Sequence, residues 1–134
     1  MNVKNMLRPI AVALGLLFAT SSAWAGYTSY SAVYVLPGPP GNPSYGSGTV
    51  NAARFSSDSN QVIGCELYPT SNLGLIQTFC FAGDSSGKYL SCGSSSPLIA
   101  QIATSINSTS FISFTVTNGS CTSLAVENWS AAVR

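Results

Sequence analysis

Gly83-Asp84-Ser85-Ser86-Gly87 matches the G-x-S-x-G pattern that presents a nucleophilic serine, and Ser85 with Lys88 matches the S-x-x-K pattern of serine–lysine acylation. Neither pattern has the partners its chemistry needs. The first requires a strand-to-helix turn with a histidine base and an acid behind it, and the chain contains no histidine. The second works from a helix start and needs further Ser and Lys motifs that do not follow. Asp84 to Lys88 reads instead as a type I hairpin turn with Gly87 in the left-handed position. No catalytic residue is assigned, and a non-enzyme is expected.

The carboxylates lead to the same expectation. Glycoside hydrolysis needs two carboxylates flanking a cleft, whereas Asp58 and Asp84 fall in turn segments, Glu66 lies within one strand pattern and Glu127 near the end of another. No dedicated Ca²⁺ loop is formed by these four acids. The four cysteines, Cys65, Cys80, Cys92 and Cys121, include no C-x-x-C pair, so a zinc site is not expected. No cofactor is expected either. In an exported chain four cysteines imply two disulfides. Folding a hairpin about Ser86 sets Cys80 opposite Cys92, leaving Cys65 for Cys121. That pairing is preferred, and the sequential one, Cys65 with Cys80 and Cys92 with Cys121, stays open.

Export is indicated by residues 1–25. Lys4 and Arg8 precede the apolar run Ile10 to Ala19, which is short of the about 20 residues that a membrane-spanning helix requires. Ala23-Trp24-Ala25 then supplies the small-x-small pattern of a signal-peptidase site, in bacterial style. Cleavage after Ala25 leaves about 109 residues, a length suited to one domain, 26–134. A secreted or periplasmic location follows, with no membrane insertion after signal cleavage. The processed chain keeps only Arg54, Lys88 and Arg134 against Asp58, Glu66, Asp84 and Glu127. So near-neutral a chain lacks the basic footprint that nucleic-acid binding requires. Sequons at Asn107, Asn118 and Asn128 are expected to stay unmodified in a bacterial host.

The elements that would position any site read as mainly β. Gly26 to Leu36 is expected to be a strand, with Tyr30, Ala32, Tyr34 and Leu36 on one face and Val33 and Val35 on the other. Pro37 to Gly48, with four prolines and four glycines, reads as a surface loop. Further strands are expected at Thr49 to Ser56, Gln61 to Tyr68, Leu75 to Ala82 (apolar on both faces, hence central), Lys88 to Gly93, Thr109 to Thr117 and Ser120 to Trp129. Between the fifth and sixth, Ser96 and Pro97 open one short helix over 97–106, with Leu98, Ile99, Ile102 and Ile106 along one side. Asn118-Gly119 suits the last hairpin turn. About seven strands and one helix predict a small antiparallel β-sandwich or partly open barrel held by two disulfides.

With catalysis and charge set aside, aromatic side chains are the remaining lead. Tyr27, Tyr30, Tyr34 and Tyr45 cluster in or beside the first strand and the Pro/Gly loop, and Tyr68 and Trp129 are expected to be exposed. Tyr30, Tyr34 and Tyr45 are the candidate ligand-binding residues, as stacking platforms of the kind that sugar-binding sandwiches flank with Asn, Ser and Asp. The plainer reading of these tyrosines is ordinary cross-strand packing. The expected function is a non-enzymatic surface or extracellular binding module whose partner is a cell-surface or extracellular polysaccharide or protein. One alternative is a subunit of a surface assembly that adds its apolar first strand to a neighbour's sheet edge. Another is a small hydrolase or enzyme inhibitor, which the missing histidine and the lack of a recognisable reactive loop disfavour.

Overall fold

The computed structural model describes residues 31–70 and 74–128. The signal-peptide reading of 1–25, the beginning of the first expected strand with Tyr27 and Tyr30, and Trp129 lie outside the described residues. Seven strands form one sheet: β1 (Tyr34–Leu36), β2 (Ser44–Thr49), β3 (Val62–Pro69), β4 (Ile76–Gly83), β5 (Tyr89–Ser94), β6 (Phe111–Thr117) and β7 (Ser120–Glu127). Among the described residues two short helices complete it, α1 (Val50–Arg54) and α2 (Pro97–Ala103). The strand order is β1-β2-β6-β7-β5-β4-β3. A Cβ built on Gly46 in β2 would stand 3.0 Å from both Ala82 Cβ in β4 and Phe114 Cζ in β6. The sheet therefore curls until its inner faces touch, yet its end strands do not pair. It is a partly open barrel.

Period-two alternation decides which side chains fill that curl. Ile112, Phe114 and Val116 of β6 point inward with Leu124 of β7, Val33 and Val35 ahead of and within β1, and Ile63, Cys80 and Ala82 from the opposite wall. The expected inward face of β6 is therefore observed. For the first strand only the Val33–Val35 side is covered, and Tyr34 and Leu36 face outward.

Several expectations are corrected. β2 occupies Ser44–Thr49, inside the segment read as a loop; the prolines are confined to 37–43, where Asn42 N–H donates to Pro39 O across a turn. Gly46 and Gly48 belong to this strand because they face close neighbours. A Cβ on Gly48 would lie 2.9 Å from the Val33 Cα, so only glycine lets β2 pass. The stretch after it is the helix α1 rather than a strand: Ala52, Ala53 and Arg54 are good helix formers, and Ala53 is buried. α2 ends at Ala103, where the Thr104 and Ser105 hydroxyls bond the carbonyls of Gln101 and Ile102. Of the expected side only Leu98, 64% exposed, faces away; Ile99 is buried with Ala100 and Ala103, and Ile102 and Ile106 pack partly buried against the core. Ser96 stands at the N-cap position but makes no side-chain capping bond. Finally, the sheet is mixed. The crossover through α2 brings the chain back so that β7 runs parallel to β5, touching it at the Gly93–Ser120 pair.

The disulfides are Cys65–Cys80 and Cys92–Cys121, the sequential pairing rather than the preferred one. Cys80 does stand opposite Cys92, as the hairpin requires, but it stands opposite Cys65 as well. Cys92 then reaches across the parallel junction to Cys121. Both bridges point to an oxidising environment such as the periplasm or the cell exterior, and no helix among the described residues is long and apolar enough to cross a membrane.

The serine motif is a turn. Asp84 Oδ1 accepts hydrogen bonds from Ser86 Oγ at 2.6 Å, Ser86 N–H at 2.9 Å and Lys88 N–H at 3.0 Å, and Gly87 takes φ +83°. A second knot lies beside it. Asp58 accepts from the Asn60 and Gln61 N–H groups and from Gln61 Nε2; Gln61 Oε1 accepts from Val33 N–H, and Asn60 Nδ2 reaches Ser85 O. The bond from the Ser86 hydroxyl, with the backbone bonds from Lys88 and Ser86, holds the Asp84 carboxyl below its ordinary value. Asp58 is lowered for a similar reason, led by the Gln61 side chain.

A carboxyl depressed in the folded state contributes stability that is complete above its unfolded value of about 3.9 and is lost as pH falls through the folded value. Asp84→Ala is therefore expected to lower the urea midpoint at neutral pH and to flatten its decline in acid. Denaturation curves taken between about pH 7 and pH 2 check both effects. An unchanged acid limb would detach Asp84 from the turn.

Candidate outer-face binding surface

Directly opposed residues on neighbouring strands share a sheet face, so the registers set out the solvent side row by row. One row runs Leu36, Tyr45, Thr115, Ser123 across β1, β2, β6 and β7, and the next runs Tyr34, Ser47, Ser113, Ala125. Tyr34 and Tyr45 are thus diagonal neighbours, spaced about 7–8 Å apart along the backbone. They are 54% and 37% exposed. Ser123 Oγ donates to Thr115 Oγ1 at 2.9 Å, tying the hydroxyls of β6 and β7 together. None of these eight side chains is charged. The structure therefore brings together two of the three candidate residues, Tyr34 and Tyr45; Tyr30 falls outside the described residues.

Alternation also turns aromatic side chains outward on β3, β4 and β5. Tyr68 and Phe79 pack edge to face with centroids 5.8 Å apart. Phe79 is 41% exposed, and Tyr89, opposite Gly83 at the other end of the β4–β5 ladder, is exposed as well. Glycines flank these rings. A Cβ on Gly93 would lie 3.2 Å from Phe79 Cε1, and one on Gly64 would lie 3.5 Å from Phe81 Cζ. The Tyr68 hydroxyl donates to Glu66 Oε2, and this bond, with the nearby negative charge, raises the Tyr68 phenol above its ordinary value. Tyr68 was legible in the sequence as exposed. Phe79 was hidden by the reading of Leu75 to Ala82 as central, although an inward Cys80 already requires an outward Phe79.

Where β5 and β7 part beyond Gly93 and Ser120 lies a shallow groove of ≈ 500 Å³, whose walls include Gln77, Phe79, Ser94 and Gly119. A second opening of ≈ 320 Å³ lies under α2 against Leu75 and Ile76. Among the described residues no group of His, Cys, Asp and Glu is arranged to hold a metal ion. The chain matches no protein-family model, no curated protein and no solved structure.

Proposed function

We propose that the protein is an exported, non-enzymatic module that binds a neutral polysaccharide of a cell surface or extracellular matrix through the outer face of β1, β2, β6 and β7. The observation that carries this reading is the pair of exposed rings, Tyr34 and Tyr45, set among hydroxyl side chains without a charge. Tyrosine couples an apolar ring face with a polar tip. The ring face suits the C–H side of a pyranose, and the Ser and Thr rows suit its hydroxyls. Nucleic acid and other polyanions are poor ligands for such a face, because affinity for them comes from Lys and Arg.

Cosedimentation of the oxidised protein with insoluble neutral polysaccharides tests the proposal. Tyr34→Ala and Tyr45→Ala are each expected to weaken binding roughly two- to tenfold, the value of one aromatic contact. Both rings are on the solvent side, so the fold should be kept. Binding unaffected by either change would reject this face. A second reading, an assembly subunit that joins neighbours by strand addition, is favoured by the unclosed sheet with β1 and β3 at its ends. Its signature is sedimentation without added polymer.

A further inference from the structure

We propose that the groove beside Phe79 is a separate subsite for one neutral sugar unit. The inference rests on the reading of the protein as a neutral-glycan binder and adds a place that reading does not use.

The groove follows from the topology. β5 and β7 are parallel and pair at Gly93–Ser120, where Gly93 N–H donates to Gly119 O at 3.0 Å. Beyond that pair the strands part, and Cys92–Cys121 keeps them from separating further. The resulting space, ≈ 500 Å³, falls within the about 300–1,000 Å³ of small-ligand sites. It opens on the same outer side of the sheet as the tyrosine rows, because Gln77, Phe79 and Gly93 occupy outward register positions.

Its lining selects the occupant. The described lining residues bear no charge, which disfavours an anion or a metal ion. Hydroxyl and amide groups from Gln77, Ser94, Ser95 and Ser120 outweigh the single ring of Phe79, which disfavours an apolar chain. A ring for stacking, an amide and several hydroxyls at a glycine-bordered surface match a pyranose. Phe79 is also positioned in advance: Tyr68 packs against it from β3, and the missing Cβ of Gly93 leaves room for it over β5. A ring fixed before binding loses little freedom when a ligand arrives. Ser94 Oγ accepts from Ser96 N–H at 3.1 Å, so its own proton remains to be donated.

The test is a titration of the isotope-labelled, oxidised protein with soluble hexasaccharides: β-1,4-glucan, β-1,3-glucan, α-1,4-glucan and β-1,4-linked N-acetylglucosamine. Amide shifts are followed residue by residue. The expected result is that at least one sugar moves the Gln77, Phe79, Gly93 and Gly119 amides. Phe79→Ala should then weaken that response roughly two- to tenfold, Gln77→Ala should weaken it too, and Tyr34→Ala with Tyr45→Ala should leave it in place. An unchanged free-protein spectrum outside the groove verifies the fold of each variant. Shifts confined to the Tyr34 and Tyr45 rows would overturn the groove and leave the proposed face standing. Groove shifts without shifts on those rows would support the subsite and count against the face. No shift with any of the four sugars would overturn the subsite.

Discussion

Replacing Cys92 and Cys121 with serine is expected to destabilise the protein by about 3–4 kcal/mol, the chain-entropy value for a loop of this size. The bridge closes a sequence separation of 29, against 15 for Cys65–Cys80. Its position adds to the difference. Cys65 and Cys80 face each other inside a continuous ladder from Val62–Gly83 to Pro69–Ile76, which persists without them. Cys92 and Cys121 instead span the junction where β5 and β7 pair at one position. Urea melts of the two double-serine variants should therefore rank the loss of Cys92–Cys121 as the more damaging. Hydrogen exchange adds a local readout: the Gly93 amide, bonded to Gly119 O, should lose protection first in that variant. Equal melts with a protected Gly93 amide would show that the junction holds without its bridge.

Phe114→Ala is expected to cost about 3–5 kcal/mol, the range for deleting a buried aromatic ring. Phe114 is 1% exposed and sits where β2, β4 and β6 converge. The same contact predicts a coupling. Gly46→Ala alone places a methyl 3.0 Å from the Phe114 ring and the Ala82 Cβ, an overpacking expected to cost about 1–3 kcal/mol. With Phe114 already removed, part of that space is open, so the second substitution should cost less than it does alone. Residues that share a contact characteristically depart from additivity in this way. A double-mutant cycle by urea denaturation measures it. Strict additivity would mean that Gly46 does not pack against Phe114.

Gly46 and Phe114 also show where the sequence was readable. Phe111 to Thr117 alternates so regularly that the inward set Ile112, Phe114 and Val116 follows from periodicity alone, and Asp84 to Lys88 declares its turn through local chemistry. β2 does not announce itself in the same way. Its glycines are there because Val33, Ala82 and Phe114 approach from distant parts of the chain, and in one dimension they look like more of the preceding Pro/Gly loop. Thr49 to Ser56 was read as a strand, whereas Ala52, Ala53 and Arg54 favour the observed turn of α1 and Ala53 is buried beneath it. The cysteine pairing was ambiguous for a geometric reason. Cys80 faces Cys65 on one side and Cys92 on the other, so the hairpin register alone does not choose; the placement of Cys121 next to Cys92 does.

The candidate surface was legible to a similar degree. The outward positions of Tyr34 and Tyr45 follow from alternation once β1 and β2 are paired, but their common face depends on the Leu36–Tyr45 register. The groove beside Phe79 could not be read from one strand, since it arises from the parallel approach of β5 and β7 after a crossover.

The most direct test of the central claim is a binding isotherm of the oxidised protein on an insoluble neutral polysaccharide, at low and high salt, for the native sequence and the Tyr34→Ala, Tyr45→Ala double variant. An uncharged stacking surface predicts affinity that is insensitive to salt and falls by roughly four- to a hundredfold in the double variant if the two ring contributions add. Full binding by the double variant, or binding abolished by salt, would contradict it.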